Sequence, residues 1–332
     1  MPDRQTAVAT RQPPSRSNAS RRRKGGRWRR GWFIAALAIL SALTLIFHRY
    51  VPNSIGNLGS LLDTFLPWVG LAVPILAVAA LVRRSATAAV ALLVPALVWG
   101  VMFGDLLLPG KGSGGAYDLR VLTHNVDAAN PDPKATANDL LGAGADVMAL
   151  EEITPSDLKV YKAAFAAKYP YQVSRDTVAL WSKYPLVETK SVDVGFAWTR
   201  AFRAEVSTPE GKVAVYVAHL ASVRVGTSGF TSDQRNDTIK ALGRQIADEK
   251  LAGVIVMGDF NGTANDRSLA PLTSGLRSAQ GAAGTGFGFT WPSKFPMARI
   301  DHILVRGVTP TKAWVMKPTG SDHRPVVAEL RI

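Results

Sequence analysis

Five short polar clusters stand at the ends of predicted strands in the C-terminal two-thirds of the chain: THN at 123–125, LEE at 150–152, AHL at 218–220, GDFN at 258–261 and SDHRP at 321–325. A sixth, RIDHI at 299–303, opens a strand. Strand ends display side chains instead of burying them, so these clusters are where chemistry would be found. Together they supply carboxylates, carboxamides and imidazoles, with neither a serine nucleophile elbow nor a glycine-rich phosphate loop. Hard oxygen ligands with one or two imidazoles suit Mg²⁺ or Mn²⁺ and a water nucleophile. Phosphoester hydrolysis fits this set, because an ion neutralises the phosphoryl oxygens while a base activates water. The chain has no cysteine, which excludes disulfides, Cys-ligated zinc and thiol catalysis.

The elements that must hold these residues alternate short apolar strands with amphipathic helices. Strands are expected at 119–125, 147–150, 178–182, 202–206, 213–218, 254–257, 302–305 and 326–332. Helices are expected at 133–142, 155–168 and 232–249, the last with Ile239, Leu242 and Ile246 on one face. Strands outnumber helices and several follow one another directly, which predicts an α/β sandwich of mixed sheets. Strand alternation lets only one of Glu151 and Glu152 face a common site, and it turns His124 and His302 away from their motif neighbours. Arg203 and Arg235 read as solvated surface arginines, and Trp291 as a packed loop aromatic.

Taken in order, the six clusters resemble the endonuclease/exonuclease/phosphatase superfamily across nearly all of 118–332. GDFN and SDHRP are the specific members of the set. The resemblance implies a four-layer α/β sandwich with two mixed central sheets and a site where the sheets meet at one edge. It further implies that Glu152, Asn125 and Asp322 serve the metal, with Mg²⁺ the expected cofactor and Mn²⁺ an alternative. Asp259 would orient the attacking water and Asn261 would bind the phosphate. His323 would be the essential histidine, hydrogen-bonded to Asp301, and His219 a candidate general acid near the leaving group.

The N-terminal third is of another kind. Residues 1–31 carry ten Arg/Lys against one Asp, whereas 117–332 carry 25 basic and 22 acidic side chains. The net charge of +14 therefore belongs mostly to a tail and says little about the substrate. Residues 1–30 read as a disordered basic arm. Three apolar runs within 31–108, at about 31–47, 65–82 and 86–108, approach the ~20 residues needed to cross a bilayer. The first lacks a small-residue cleavage site, so an anchor is expected and not a signal peptide. The arm and Arg83-Arg84 hold twelve of the thirteen basic residues among the first 84. Positive-inside asymmetry then predicts a multi-pass cell-membrane protein, its arm cytoplasmic and residues 117–332 extracytoplasmic. Residues 109–116 read as a linker, and 117–332 are expected to fold as a catalytic domain without the spans. The expected function is a membrane-anchored phosphodiesterase acting on nucleic acid. A phospholipase C-like or headgroup phosphatase is the alternative, and a non-catalytic binding protein the third reading. No feature points to a protein partner.

Overall fold

The computed structural model describes residues 31–332 apart from 109–111, 113 and 228. The arm expected at 1–30 and the start of the expected linker lie outside them. In the C-terminal region the strands are β1 (Leu119–Asn125), β2 (Val147–Glu151), β3 (Tyr171–Arg175), β4 (Val178–Ser182), β5 (Leu186–Ser191), β6 (Ala201–Thr208) and β7 (Gly211–Ala218). They continue as β8 (Val225–Gly226), β9 (Gly229–Phe230), β10 (Gly253–Asp259), β11 (Arg277–Ser278), β12 (Asp301–Arg306), β13 (Thr309–Val315) and β14 (Val326–Arg331). Two six-stranded sheets result, in the orders β13-β14-β1-β2-β4-β3 and β11-β12-β10-β7-β6-β5, with β8-β9 a small hairpin. Each is mixed: β1 runs parallel to β2 but antiparallel to β14, and β10 parallel to β7 but antiparallel to β12.

Alternation along the strands builds the layers. Val121, Val147, Ala149 and Leu180 of the first sheet meet Phe202, Val215, Ile255 and Ile303 of the second in one buried core. The opposite face of the first sheet, with Leu122, Met148 and Trp181, lies under the helices Pro133–Gly142 and Pro155–Phe165. The outer face of the second, with Tyr216, Val256 and Leu304, packs on the helix Asp233–Ala247 through Ile239, Leu242 and Ile246. Each of those three aliphatic side chains contributes about 1.5–3 kcal/mol on burial. The architecture is the four-layer sandwich expected from the sequence. Pro133 and Pro155 open their helices behind Asp132 and Thr154, whose side chains accept from Ala135 N and Asp157 N.

Toward the N-terminus, three apolar helical segments are long enough to cross a membrane: Trp32–Tyr50, Leu66–Arg83 and Ala86–Leu107. The second opens as a 3₁₀ stretch, Leu66–Leu71, before its α-helix Ala72–Arg83. The third is broken at Leu92, three residues before Pro95. Small residues let the helices approach: Ala38 and Ala42 of the first are buried, and Ala38 packs with Ala80 and Ala88. Large side chains such as Leu40, Ile75, Leu81 and Val101 point outward and stay exposed.

These segments touch the sandwich directly. Between the first two, Asp63 is fully buried; its carboxylate accepts from Arg267 Nε at 2.8 Å and lies 2.6 Å from His48 Nδ1. Trp68 Nε1 donates to Met297 O at 2.8 Å, and its ring stacks on Phe289 at 5.7 Å. Phe287 packs on Trp99 and Phe103.

Candidate active site

The topology brings the polar clusters to one edge. Asn125, Glu151 and Asp259 end β1, β2 and β10. Because β12 runs antiparallel to β10, Asp301 at its start pairs in register with Asp259 at the other's end. Asn125 pairs likewise with Glu151. In β2, β10 and β12 the residues two and four along from the polar one belong to the inter-sheet core, as does Val121 four before Asn125, with buried Thr123 between them. The polar side chains therefore continue that core's row to its rim. Gly258 makes the rim possible. Its φ is +143°, and a Cβ there would fall 2.0 Å from Ala218 O on the neighbouring strand.

Asp259 is held on both oxygens. Oδ1 accepts from Asn261 N at 2.8 Å; Oδ2 accepts from Asn125 Nδ2 and Asn261 Nδ2, both at 3.1 Å. Burial pushes its carboxyl up to about 7, the cation at His323 and the amide donors notwithstanding. His323 is buried, and its Nδ1 donates to Asp301 at 2.9 Å. Burial alone would lower this imidazole, but Asp301 and Asp259 outweigh it and hold it up at about 10. The same charge and hydrogen bond keep Asp301 below its ordinary value against the effect of burial. The pair is thus an imidazolium–carboxylate couple, with Nε2 left 3.9 Å from Asp259 and 3.8 Å from Asp322.

The two glutamates separate in a way strand alternation does not foresee. Glu151 completes β2 and is fully buried, accepting from Thr123 Oγ1 at 2.9 Å; burial drives its carboxyl well above the ordinary range. Glu152 takes a left-handed backbone, φ +59°, leaves the strand and turns its side chain into the pocket 3.3 Å from His219 Nε2. His219 is buried with neither ring nitrogen hydrogen-bonded, and burial together with Arg200 and His323 holds it neutral. Asp322 lies at the mouth, its carboxylate accepting from Trp291 Nε1 at 3.1 Å. Glu152, Asp259, Asn261, Asp322 and His323 line one cavity of about 580 Å³.

The donor set suits a divalent cation. Ligand atoms of Asp259, Asp301 and His323 lie within 4.8 Å of one another. However, His323 Nδ1 and Asp301 already serve each other. The more open oxygens are those of Glu152 and Asp322, whose side chains are 30% and 56% exposed. Beside them sits the unpartnered imidazole of His219.

Other sequence expectations fall differently. His124 bonds Thr319 and His302 bonds Gly262 O, both away from the cavity. Trp291 stands on the cavity wall, where a packed loop residue was expected. Arg235 is not a solvated arginine. It is fully buried, paired to Asp266 at 2.6 Å, and donates to Asn261 O at 2.8 Å, so it braces the GDFN loop from behind. Removing it would strand a buried carboxylate, typically a loss of about 3–5 kcal/mol. Arg203, too, is mostly buried, in an ion pair with Glu249 at 2.9 Å. Arg200 was overlooked: its guanidinium donates to His219 O at 2.8 Å and Leu220 O at 3.0 Å, fixing the AHL turn. Nothing in the local sequence marks either brace.

Solved structures share this fold. One is D. rerio TDP2 complexed with single-strand DNA product, with 19% identity, TM-score 0.56 and coverage of 64% of this chain and 99% of that one. The mannosyl-6-phosphatase Bt3783 of Bacteroides thetaiotaomicron has 18% identity and TM-score 0.54, covering 64% and 100%. The beta toxin of Staphylococcus aureus has 15% identity and TM-score 0.51, covering 64% and 99%. No curated protein matches the chain. The sequence profile of the Endonuclease/Exonuclease/phosphatase family matches residues 122–323, the stretch that runs from β1 to His323. With that profile, this sandwich and the carboxylate–imidazole rim in agreement, the chain belongs to the endonuclease/exonuclease/phosphatase family.

Proposed function

We propose that the protein is a membrane-anchored, Mg²⁺-dependent phosphoester hydrolase whose catalytic site faces the extracytoplasmic side. The observation that carries the reading is the convergence of the His323–Asp301 couple, the doubly held Asp259 and the pocket-facing Glu152 on one cavity.

Glu152, Asn125 and Asp322 would hold the cation, which supplies charge neutralisation at the phosphoryl oxygens. Asp259, fixed by Asn125 and Asn261, orients the attacking water. The water oxygen bonds to phosphorus, one P–O ester bond breaks, and the departing oxygen takes a proton. His323, held as a cation by Asp301, stabilises negative charge building on the phosphoryl group. Neutral His219, with Nε2 toward the pocket, is positioned as a hydrogen donor to the leaving oxygen. Asn261 lines the cavity that the phosphate enters.

The spans also support the sidedness. The segment between the first and second docks on the catalytic region through Asp63 and Arg267, so both belong on one side of a membrane. Three crossings satisfy that requirement, with the Arg83-Arg84 turn on the opposite side beside the basic arm. For substrate, the single-strand DNA product in the D. rerio relative favours the nucleic-acid reading. The nearness of the spans favours a phosphoester carried by a lipid.

Glu152→Ala is the test. Loss of a pocket carboxylate should lower activity on a phosphodiester by about 100-fold or more, and raised Mg²⁺ or Mn²⁺ should restore part of it. Glu151→Gln, which retains the hydrogen bond from Thr123, should remain within a few-fold of the parent. Reversed phenotypes in steady-state assays would remove Glu152 from the metal.

A further inference from the structure

Two segments of chain border the catalytic cavity and then lead away from it into an apolar groove. Thr64 and Phe65 form part of the cavity wall, as does Trp291. Immediately beyond them, Pro67, Trp68, Leu71 and Trp99 face Phe287 and Phe289 across a second cavity of about 450 Å³. Among the described residues no charged side chain lines it. The two polar atoms that its indoles offer are already satisfied, Trp68 Nε1 by Met297 O and Trp99 Nε1 by Pro67 O at 2.9 Å. The groove therefore has no use for water or for a polar guest.

Its depth is informative. The groove extends down to Ala96 and Pro74, inside the apolar helices. At ~1.5 Å per residue, Ala96 lies about 16 Å below the Leu107 end of its span, close to half of a hydrocarbon core ~30 Å thick. That is the reach of one leaflet. At its upper end Phe295, 65% exposed and tilted against Trp68, extends the aromatic rim where a bilayer's headgroup layer would lie.

We infer that the substrate is a phosphoester lipid, its hydrocarbon chain lying in the Trp68–Trp99–Phe287–Phe289 groove while its phosphate reaches the Asp259–His323 cavity. This rests on the hydrolase reading and specifies its substrate class. The anchor is then part of the substrate site, since it supplies one wall of the cavity and most of the groove. A tail of ordinary length fills the groove only while its phosphate stays at the interface, which selects membrane lipids over soluble phosphoesters.

The experiment uses the full chain in nanodiscs containing Mg²⁺. Hydrolysis is measured on phosphatidylglycerol, phosphatidylethanolamine and phosphatidylcholine with long chains, on their dihexanoyl counterparts, on bis(p-nitrophenyl) phosphate and on single-stranded DNA. Ala96→Trp fills the groove floor. The rate ratio of long-chain to dihexanoyl lipid should fall by about tenfold or more, the worth of roughly two buried methylenes. Because the ratio is taken within one preparation, partial misfolding cancels. Independently, a phosphatidylglycerol carrying a diazirine on its acyl chain should label residues 67–74, 96–99 or 287–289 of the parent protein on irradiation. An unchanged ratio, labelling confined to other faces of the spans, or cleavage of DNA with every lipid untouched would each overturn the inference and leave the hydrolase reading standing. Inactivity on every substrate with Mg²⁺ or Mn²⁺ would instead remove the hydrolase reading, and the labelling pattern would still decide whether the groove takes a lipid chain.

Discussion

His323→Ala is expected to lower kcat by about 10²–10⁴-fold, the range for loss of a positioned acid–base or charge-stabilising group. Asp301 is buried, and His323 Nδ1 bonds it at 2.9 Å. Among the described residues Asp301 is the hydrogen-bond partner of the His323 ring, while Ser321 Oγ accepts from its backbone N. Asp301 thus acts through the imidazole, by fixing its tautomer and sustaining its charge. Asp301→Ala alone should cost nearly as much as His323→Ala, and the double variant scarcely more than either. Single-turnover rates for the four proteins give the coupling. Fully multiplicative losses would mean that Asp301 and His323 act separately, and the couple would have to be abandoned.

The second large effect concerns sidedness and is all-or-none. Protease added to intact, wall-stripped cells should remove residues 117–332 and spare an epitope on the basic arm. Two features motivate this. Positive charge gathers on the arm and at Arg83-Arg84, and Asp63, between the first two spans, is buried against Arg267 of the catalytic region. An arrangement with 48–65 and 117–332 on opposite sides would have to break that contact, taking the arginine from a buried carboxylate and leaving it His48 as its side-chain partner. Protection of the catalytic region until lysis would place it in the cytoplasm.

How much of this was legible in the residues depends on where each one lies. The motif clusters were readable because strand ends with paired carboxylates and imidazoles are rare by chance, and the register of β10 with β12 explains why Asp259 and Asp301 meet although 41 positions separate them. Central strands such as Val178–Ser182 announce themselves by continuous apolar runs. The edge strands Tyr171–Arg175, Leu186–Ser191 and Thr309–Val315 do not, because one side faces solvent and their residues are polar, with Pro310 in the last. Alternation allowed only one of Glu151 and Glu152 to face the site and the resemblance pointed to Glu152; a left-handed residue there ends the strand and turns that side chain into the cavity. Arg235 and Arg200 were unreadable for a different reason. Their partners, Asp266 and the carbonyls of 219 and 220, come from elsewhere in the fold, and an isolated arginine carries no mark of burial. The same holds for Asp63 and Trp68, which lie within the stretch expected to be an anchor and bond Arg267 and Met297 of the sandwich.

The central claim, that this cavity performs cation-dependent phosphoester hydrolysis, is most directly tested on the purified full chain in detergent with bis(p-nitrophenyl) phosphate. Release of p-nitrophenol is followed in Mg²⁺, after EDTA, and after Mg²⁺ is restored in excess. The account predicts turnover in Mg²⁺, its loss with chelator, its recovery on re-addition, and its near absence in Asp259→Asn under all three conditions. Turnover that is indifferent to EDTA, or that survives in Asp259→Asn, would contradict it.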